Sequence, residues 1–154
     1  MEKKDLTKLL DEIFIPIGFK RKGNNWVLNG KEINKIINLQ KSQYSNAYYI
    51  NYGYVITSLS LGSFINHIDN RLSSSDKEIQ KRIGELLNLE NNIEPKIRII
   101  ELRELINKKI VKEMQSVDTE EDISRLLKVR EHLYTIPPFV LKHFNITFEW
   151  KKND

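Results

Sequence analysis

Glu32-Ile33-Asn34-Lys35-Ile36-Ile37-Asn38-Leu39-Gln40-Lys41 and Tyr48-Tyr49-Ile50-Asn51-Tyr52-Gly53-Tyr54-Val55-Ile56 are the two stretches that decide the fold class. Successive side chains of an extended chain point to opposite faces. The first stretch therefore sets Ile33, Ile37 and Leu39 on one side, and Asn34, Asn38, Gln40 and the following Ser42 on the other. The second sets Tyr48, Ile50, Tyr52, Tyr54 and Ile56 against Tyr49, Asn51, Gly53 and Val55. Residues 43–46 form the loop between them. Upstream, Trp26-Val27-Leu28 runs into Asn29-Gly30, a dipeptide whose tolerance of positive φ suits a two-residue hairpin turn. Three strands in succession predict an antiparallel meander with one face for a core. A short alternation over residues 146–150 offers a fourth.

Helical patterns flank the strands. Leu6, Leu9, Leu10, Ile13 and Phe14 form the apolar stripe of a first helix, with Asp5 placed as N-cap and Pro16 and Gly18 ending it. Ser75 with Glu78 is read as the capping box of a second, whose stripe is Ile79, Ile83, Leu86 and Leu87 and whose end lies near Leu89. A third covers 97–114, with Ile99, Leu102, Ile106 and Ile110 inward. Thr119 and Asp122 cap a fourth carrying Ile123, Leu126, Leu127 and Leu133, which Pro137-Pro138 stops. The expectation is one α+β domain over residues 1–154, a meander sheet of three to four strands packed on one face by about four helices.

Composition narrows the function classes. The 154 residues contain no cysteine, which excludes thiol nucleophiles, thiolate metal sites and disulfide frameworks. Charges at Lys8, Asp11 and Glu12 interrupt the apolar run near the start, so neither a signal peptide nor a membrane span is expected, and the protein is placed in the cytoplasm. The net charge of +4 is scattered apart from Lys20-Arg21-Lys22, whereas nucleic-acid binders concentrate basic residues on one face. There is no phosphate-cradling glycine loop, dinucleotide fingerprint or nucleophile elbow, and no cofactor is expected.

The run Gly18-Phe19-Lys20-Arg21-Lys22-Gly23-Asn24-Asn25-Trp26, then Ile36-Ile37-Asn38-Leu39-Gln40-Lys41-Ser42 and Tyr49-Ile50-Asn51-Tyr52-Gly53, resembles a bacterial family recorded as domain of unknown function 4304. The likeness continues more weakly through His67-Ile68-Asp69-Asn70-Arg71-Leu72 and Leu86-Leu87-Asn88-Leu89-Glu90 to about Leu127. It implies one domain and no particular activity. By association, small stand-alone proteins of this kind serve as partner-binding or immunity modules beside toxins.

Three groups of residues are candidates for a site. Asn38, Gln40, Ser42 and Asn51, flanked by Lys41 and Tyr49, can offer carboxamide donors and acceptors to a partner; the alternative is an ordinary solvated sheet face. His67 and Arg71, four apart, would share a helix face as general base and anion clamp for an enzyme acting on a small anionic substrate, or belong to local structural pairs. Lys20-Arg21-Lys22 with Trp26 can contact nucleic acid weakly, or lie in a solvated loop with Trp26 in the core. The leading expectation is a non-enzymatic module that binds another protein through the polar sheet face and the adjoining 43–46 loop.

Overall fold

The computed structural model describes residues 1–147. Its sheet is antiparallel, with strands β1 (Lys20–Lys22), β2 (Asn25–Leu28), β3 (Ile33–Lys41), β4 (Tyr48–Ile56) and β5 (Ile68–Arg71) side by side in chain order. The class is α+β and the sheet is a meander, but among the described residues it has five strands and not three to four. The two additional strands are the edges. Lys20–Lys22 is all charge and Ile68–Arg71 holds one apolar residue, so neither shows apolar alternation. Short, charged edges are what keeps a sheet from pairing with other chains.

The tight hairpin turn is also displaced from its expected place. Lys22 pairs with Asn25 across Gly23-Asn24, and Gly23 takes φ 62°, in the left-handed region that glycine enters without penalty. Asn29-Gly30 lies in a wider connection, because Leu28 pairs with Lys35 and the Asn34 side chain accepts the Gly30 N–H at 3.0 Å. Residues 146 and 147 are not strand; residues 148–150 of the expected fourth strand lie outside the described residues.

Helix α1 (Lys3–Phe14) buries Leu6, Leu9, Leu10, Ile13 and Phe14 as its stripe requires. Its cap is Glu2 and not Asp5; Asp5 sits in the first turn and accepts the Glu2 N–H at 2.8 Å. Helix α2 (Lys77–Leu87) is capped by Asp76, whose carboxylate accepts the N–H groups of Glu78 and Ile79, so the Ser75–Glu78 box is not used and the helix stops short of Leu89. Helix α3 (Pro95–Ile106) runs through a π-helical turn, Asn107–Val111, into α4 (Lys112–Gln115). Helix α5 (Glu120–Lys128) has the expected Thr119–Asp122 box. It ends at Lys128, however, and Leu133 belongs to a separate 3₁₀ turn. Pro138 does not stop that helix; it opens α6 (Pro138–His143), where a missing N–H is not needed. Counting α3 to α4 as one rod, five helices stand where about four were expected.

One core lies between the helices and the sheet face that carries Trp26, Ile33, Ile37, Leu39, Tyr48, Ile50, Tyr54 and Ile56. Two cations are buried with it. Lys35, 6% exposed, donates to the Met114 carbonyl at 2.6 Å and to Asp118 at 3.2 Å. Arg98, 1% exposed, donates to the carbonyls of Leu86, Asn88 and Asn91 where α2 ends. Each positive group thus meets carbonyl oxygens at or just beyond the negative dipole end of a helix, and of the carbonyls so reached only that of Leu86 lacks a main-chain donor. No helix among the described residues is long and apolar enough to cross a membrane.

Candidate functional site

The sheet's other face bears no helix: apart from Gly53 its side chains are partly or fully exposed. Cross-strand partners share a face, and the register aligns Lys22, Asn25, Asn38, Asn51 and Arg71 in one row running across all five strands. At the usual strand spacing the row is about 19 Å wide. Three asparagines occupy its centre and a cation each edge. Lys20, Val27, Ile36, Gly53 and Asp69 make the next row.

The central row is a hydrogen-bonded relay. Arg71 Nε donates to Asn51 Oδ1 at 3.0 Å; Asn51 Nδ2 donates to Asn38 Oδ1 at 3.1 Å; Asn38 Nδ2 donates to Asn25 Oδ1 at 2.9 Å. Gln40, diagonal to Asn51, accepts from Asn51 at 2.9 Å and from Arg71 at 3.3 Å. The guanidinium also lies 4.0 Å from the centroid of the Tyr49 ring, a cation–π contact that fixes its plane. Ile36, Asn66 and Asp69 join Asn25, Asn38, Gln40 and Asn51 around a depression of about 420 Å³. Asn66 lies over Gly53, where a Cβ would stand 2.6 Å from its amide nitrogen and 2.4 Å from the Ile68 carbonyl, so only glycine fits.

Of the residues singled out from the sequence, Asn38, Gln40, Asn51 and Arg71 are brought together. Lys41 is not: it shares the parity of Ile37 and Leu39 and lies exposed on the opposite face of the strand end. Ser42 is a turn residue, its hydroxyl accepting the Tyr44 N–H at 3.2 Å. His67 precedes a strand and is not on a helix, so its spacing to Arg71 does not join them. It is 1% exposed, with Nδ1 accepting the Ile56 N–H at 2.8 Å and Nε2 3.0 Å from the Ser60 carbonyl. Both ring nitrogens are thus occupied by main chain, and the imidazole pins the loop after β4. The Lys20-Arg21-Lys22 cluster is divided between faces, Arg21 turning to Asp11 at 3.0 Å. Trp26 is fully buried, its indole N–H also on Asp11, at 2.8 Å.

A second polar cluster, absent from the sequence reading, lies beneath the sheet. Tyr54 donates to Glu113 at 2.6 Å, and Arg130 reaches Asn70 at 2.6 Å beside a cavity of about 230 Å³. Burial, reinforced by the Glu113 carboxylate, pushes the Tyr52 hydroxyl up to about 12 and the Tyr54 hydroxyl higher still. Burial lowers the Arg130 guanidinium, against the pull of Tyr52, Glu113 and Asp69. These groups are far apart in sequence: Tyr54 comes from β4, Asn70 from β5, Glu113 from α4 and Arg130 from just beyond α5. Among the described residues no group of His, Asp and Glu is placed to hold a metal ion.

Neither a curated protein nor a solved structure matches this chain. A family model does, over residues 10–116, a span that holds every strand of the sheet and the whole asparagine row. The chain therefore belongs to the family described as Domain of unknown function (DUF4304).

Proposed function

We propose that this protein is a non-enzymatic binding module, at work in the bacterial cytoplasm, whose partner-facing surface is the open sheet face centred on Asn38, Gln40, Asn51 and Arg71. The observation that carries the reading is the relay from Arg71 to Asn25, five polar side chains held in one arrangement on an uncovered face. A surface already ordered loses less side-chain entropy when a partner docks. Its breadth suits a protein better than a small molecule, which favours enclosed and mostly apolar pockets. A cysteine-free chain requires no oxidising compartment, in keeping with the cytoplasm.

The test is affinity capture from the source organism with tagged wild-type protein and the Gln40→Ala/Asn51→Ala variant, followed by titration of the purified partner. A stoichiometric protein whose affinity falls at least tenfold in the variant, with circular dichroism unchanged, supports the reading. A partner that binds both forms equally removes this face from the interaction.

A further inference from the structure

The direction of every amide in the relay is set by one residue. An arginine side chain has only donors. Arg71 therefore requires oxygens from Asn51 and Gln40. That leaves the Asn51 NH₂ to donate, and its two hydrogens go to Gln40 and Asn38. Asn38, accepting through its oxygen, must donate in turn, and does so to Asn25. Each of the four carboxamide oxygens is already engaged. The carboxamide hydrogens left over in the relay are both on Asn25, both on Gln40 and one on Asn38, and Arg71 keeps N–H groups beyond the two it spends on Asn51 and Gln40. Lys22 and Lys20 extend this donor surface to the β1 edge, and Arg71 closes it on the β5 side; Asp69 is the one carboxylate in these two rows.

Resting on the binding-module reading, we infer that the partner is a protein presenting an acidic segment, whose carboxylates and carbonyls take up the unspent donors of Asn25, Asn38 and Gln40 between Lys22 and Arg71. A carboxylate accepts two donors side by side and gains further from a charged one. Nucleic acid fits less well. Its affinity comes from many cations displacing counterions along a backbone, and here three cations stand against Asp69 with neutral amides between them.

The test is a pair of substitutions that spare the relay. In Asn25→Asp/Gln40→Glu each retained oxygen still accepts its internal bond while each free NH₂ becomes a carboxylate oxygen. The probes are fluorescein-labelled ten-residue peptides, one alternating Glu and Gly, one alternating Lys and Gly, and a ten-nucleotide oligothymidylate, read by anisotropy. The inference expects wild-type protein to bind the Glu peptide at least tenfold tighter than the other two probes. It expects the Asn25→Asp/Gln40→Glu variant, with unchanged thermal midpoint, to lose at least tenfold for the Glu peptide. No saturable binding of the Glu peptide, equal binding by the variant, or tighter binding of the oligonucleotide would overturn it. The two readings fail differently. A captured partner lost from Gln40→Ala/Asn51→Ala yet retained by Asn25→Asp/Gln40→Glu keeps the face and discards the acidic partner. One retained by both variants discards the face.

Discussion

Arg98 shows how much one side chain can settle. The Leu86 carbonyl at the end of α2 has the Arg98 guanidinium as its donor, while the Asn88 and Asn91 carbonyls that Arg98 also reaches accept the N–H groups of Asn91 and Ile93. Burial lowers the guanidinium's pKa. Arg98→Leu keeps much of the packing volume and leaves the buried Leu86 carbonyl without its donor, so it should destabilise by about 1–3 kcal/mol, read from urea midpoints. The tyrosines under the sheet give a pH-dependent counterpart. A hydroxyl whose pKa is raised by folding holds its proton more tightly in the native chain, so its contribution is full below the unfolded value of 10.0 and is lost as pH climbs towards the folded value of about 12 for Tyr52. Phenolate absorbance should show Tyr52 and Tyr54 ionising only as the fold opens, and Tyr52→Phe/Tyr54→Phe should weaken the alkaline loss of stability. Asn38, Gln40 and Asn51 were legible as one face because each sits at alternate positions of a long, well-patterned strand. Arg71 was legible only as a neighbour of His67 on an assumed helix; on a strand, four residues span about 13 Å. Asn25 was hidden by its neighbour Trp26, whose burial dominates the reading of that strand.

At the scale of elements, spacing carries information that residue type does not. Ile99, Leu102 and Ile106 are three and four apart, as an α-helical stripe requires, but Ile110 and Met114 follow at four and four. Repeated fours rotate a stripe away from the core in an α-helix; the π-turn Asn107–Val111 absorbs the extra residue and keeps Ile106, Ile110 and Met114 buried. Deleting Lys108, which is exposed, restores alternating threes and fours. The deletion variant should fold with helicity and urea midpoint at least equal to wild type and keep the Tyr54–Glu113 bond; a collapse of either would mean that the wide turn is required and not merely tolerated. The helices were readable as helices for the same periodic reason. Their caps were less so, since Asp76 competes with Ser75, and Glu2 with Asp5, for the same first-turn N–H groups. Edge strands were unreadable because exposed charge, the feature that protects an edge, erases the alternation that reveals a strand.

At the scale of the molecule, the family match and the fold do not have the same boundary. The match ends at residue 116, whereas Val117, Ile123, Leu127, Ile136, Val140 and Leu141 beyond it are all buried in the common core. Lys35 reaches Asp118 across that boundary, and Arg130 holds Asn70 of the β5 edge. Full burial of an aliphatic side chain stabilises by about 1.5–3 kcal/mol, so the six together contribute on the order of 10 kcal/mol. A domain's net stability is only about 5–15 kcal/mol. A chain ending at residue 116 should therefore lose its cooperative urea transition and bind a hydrophobic dye, while a chain ending at 147 unfolds in one step. The asparagine row supplies the internal control, because it lies on the opposite face and touches none of the deleted segment. If the shorter chain did unfold cooperatively, the sheet with its first helices would be a self-sufficient binding platform and the last thirty or so residues an addition to it. If it does not, the segment outside the family match is the part of the core that lets the open face stay open, by covering the other one.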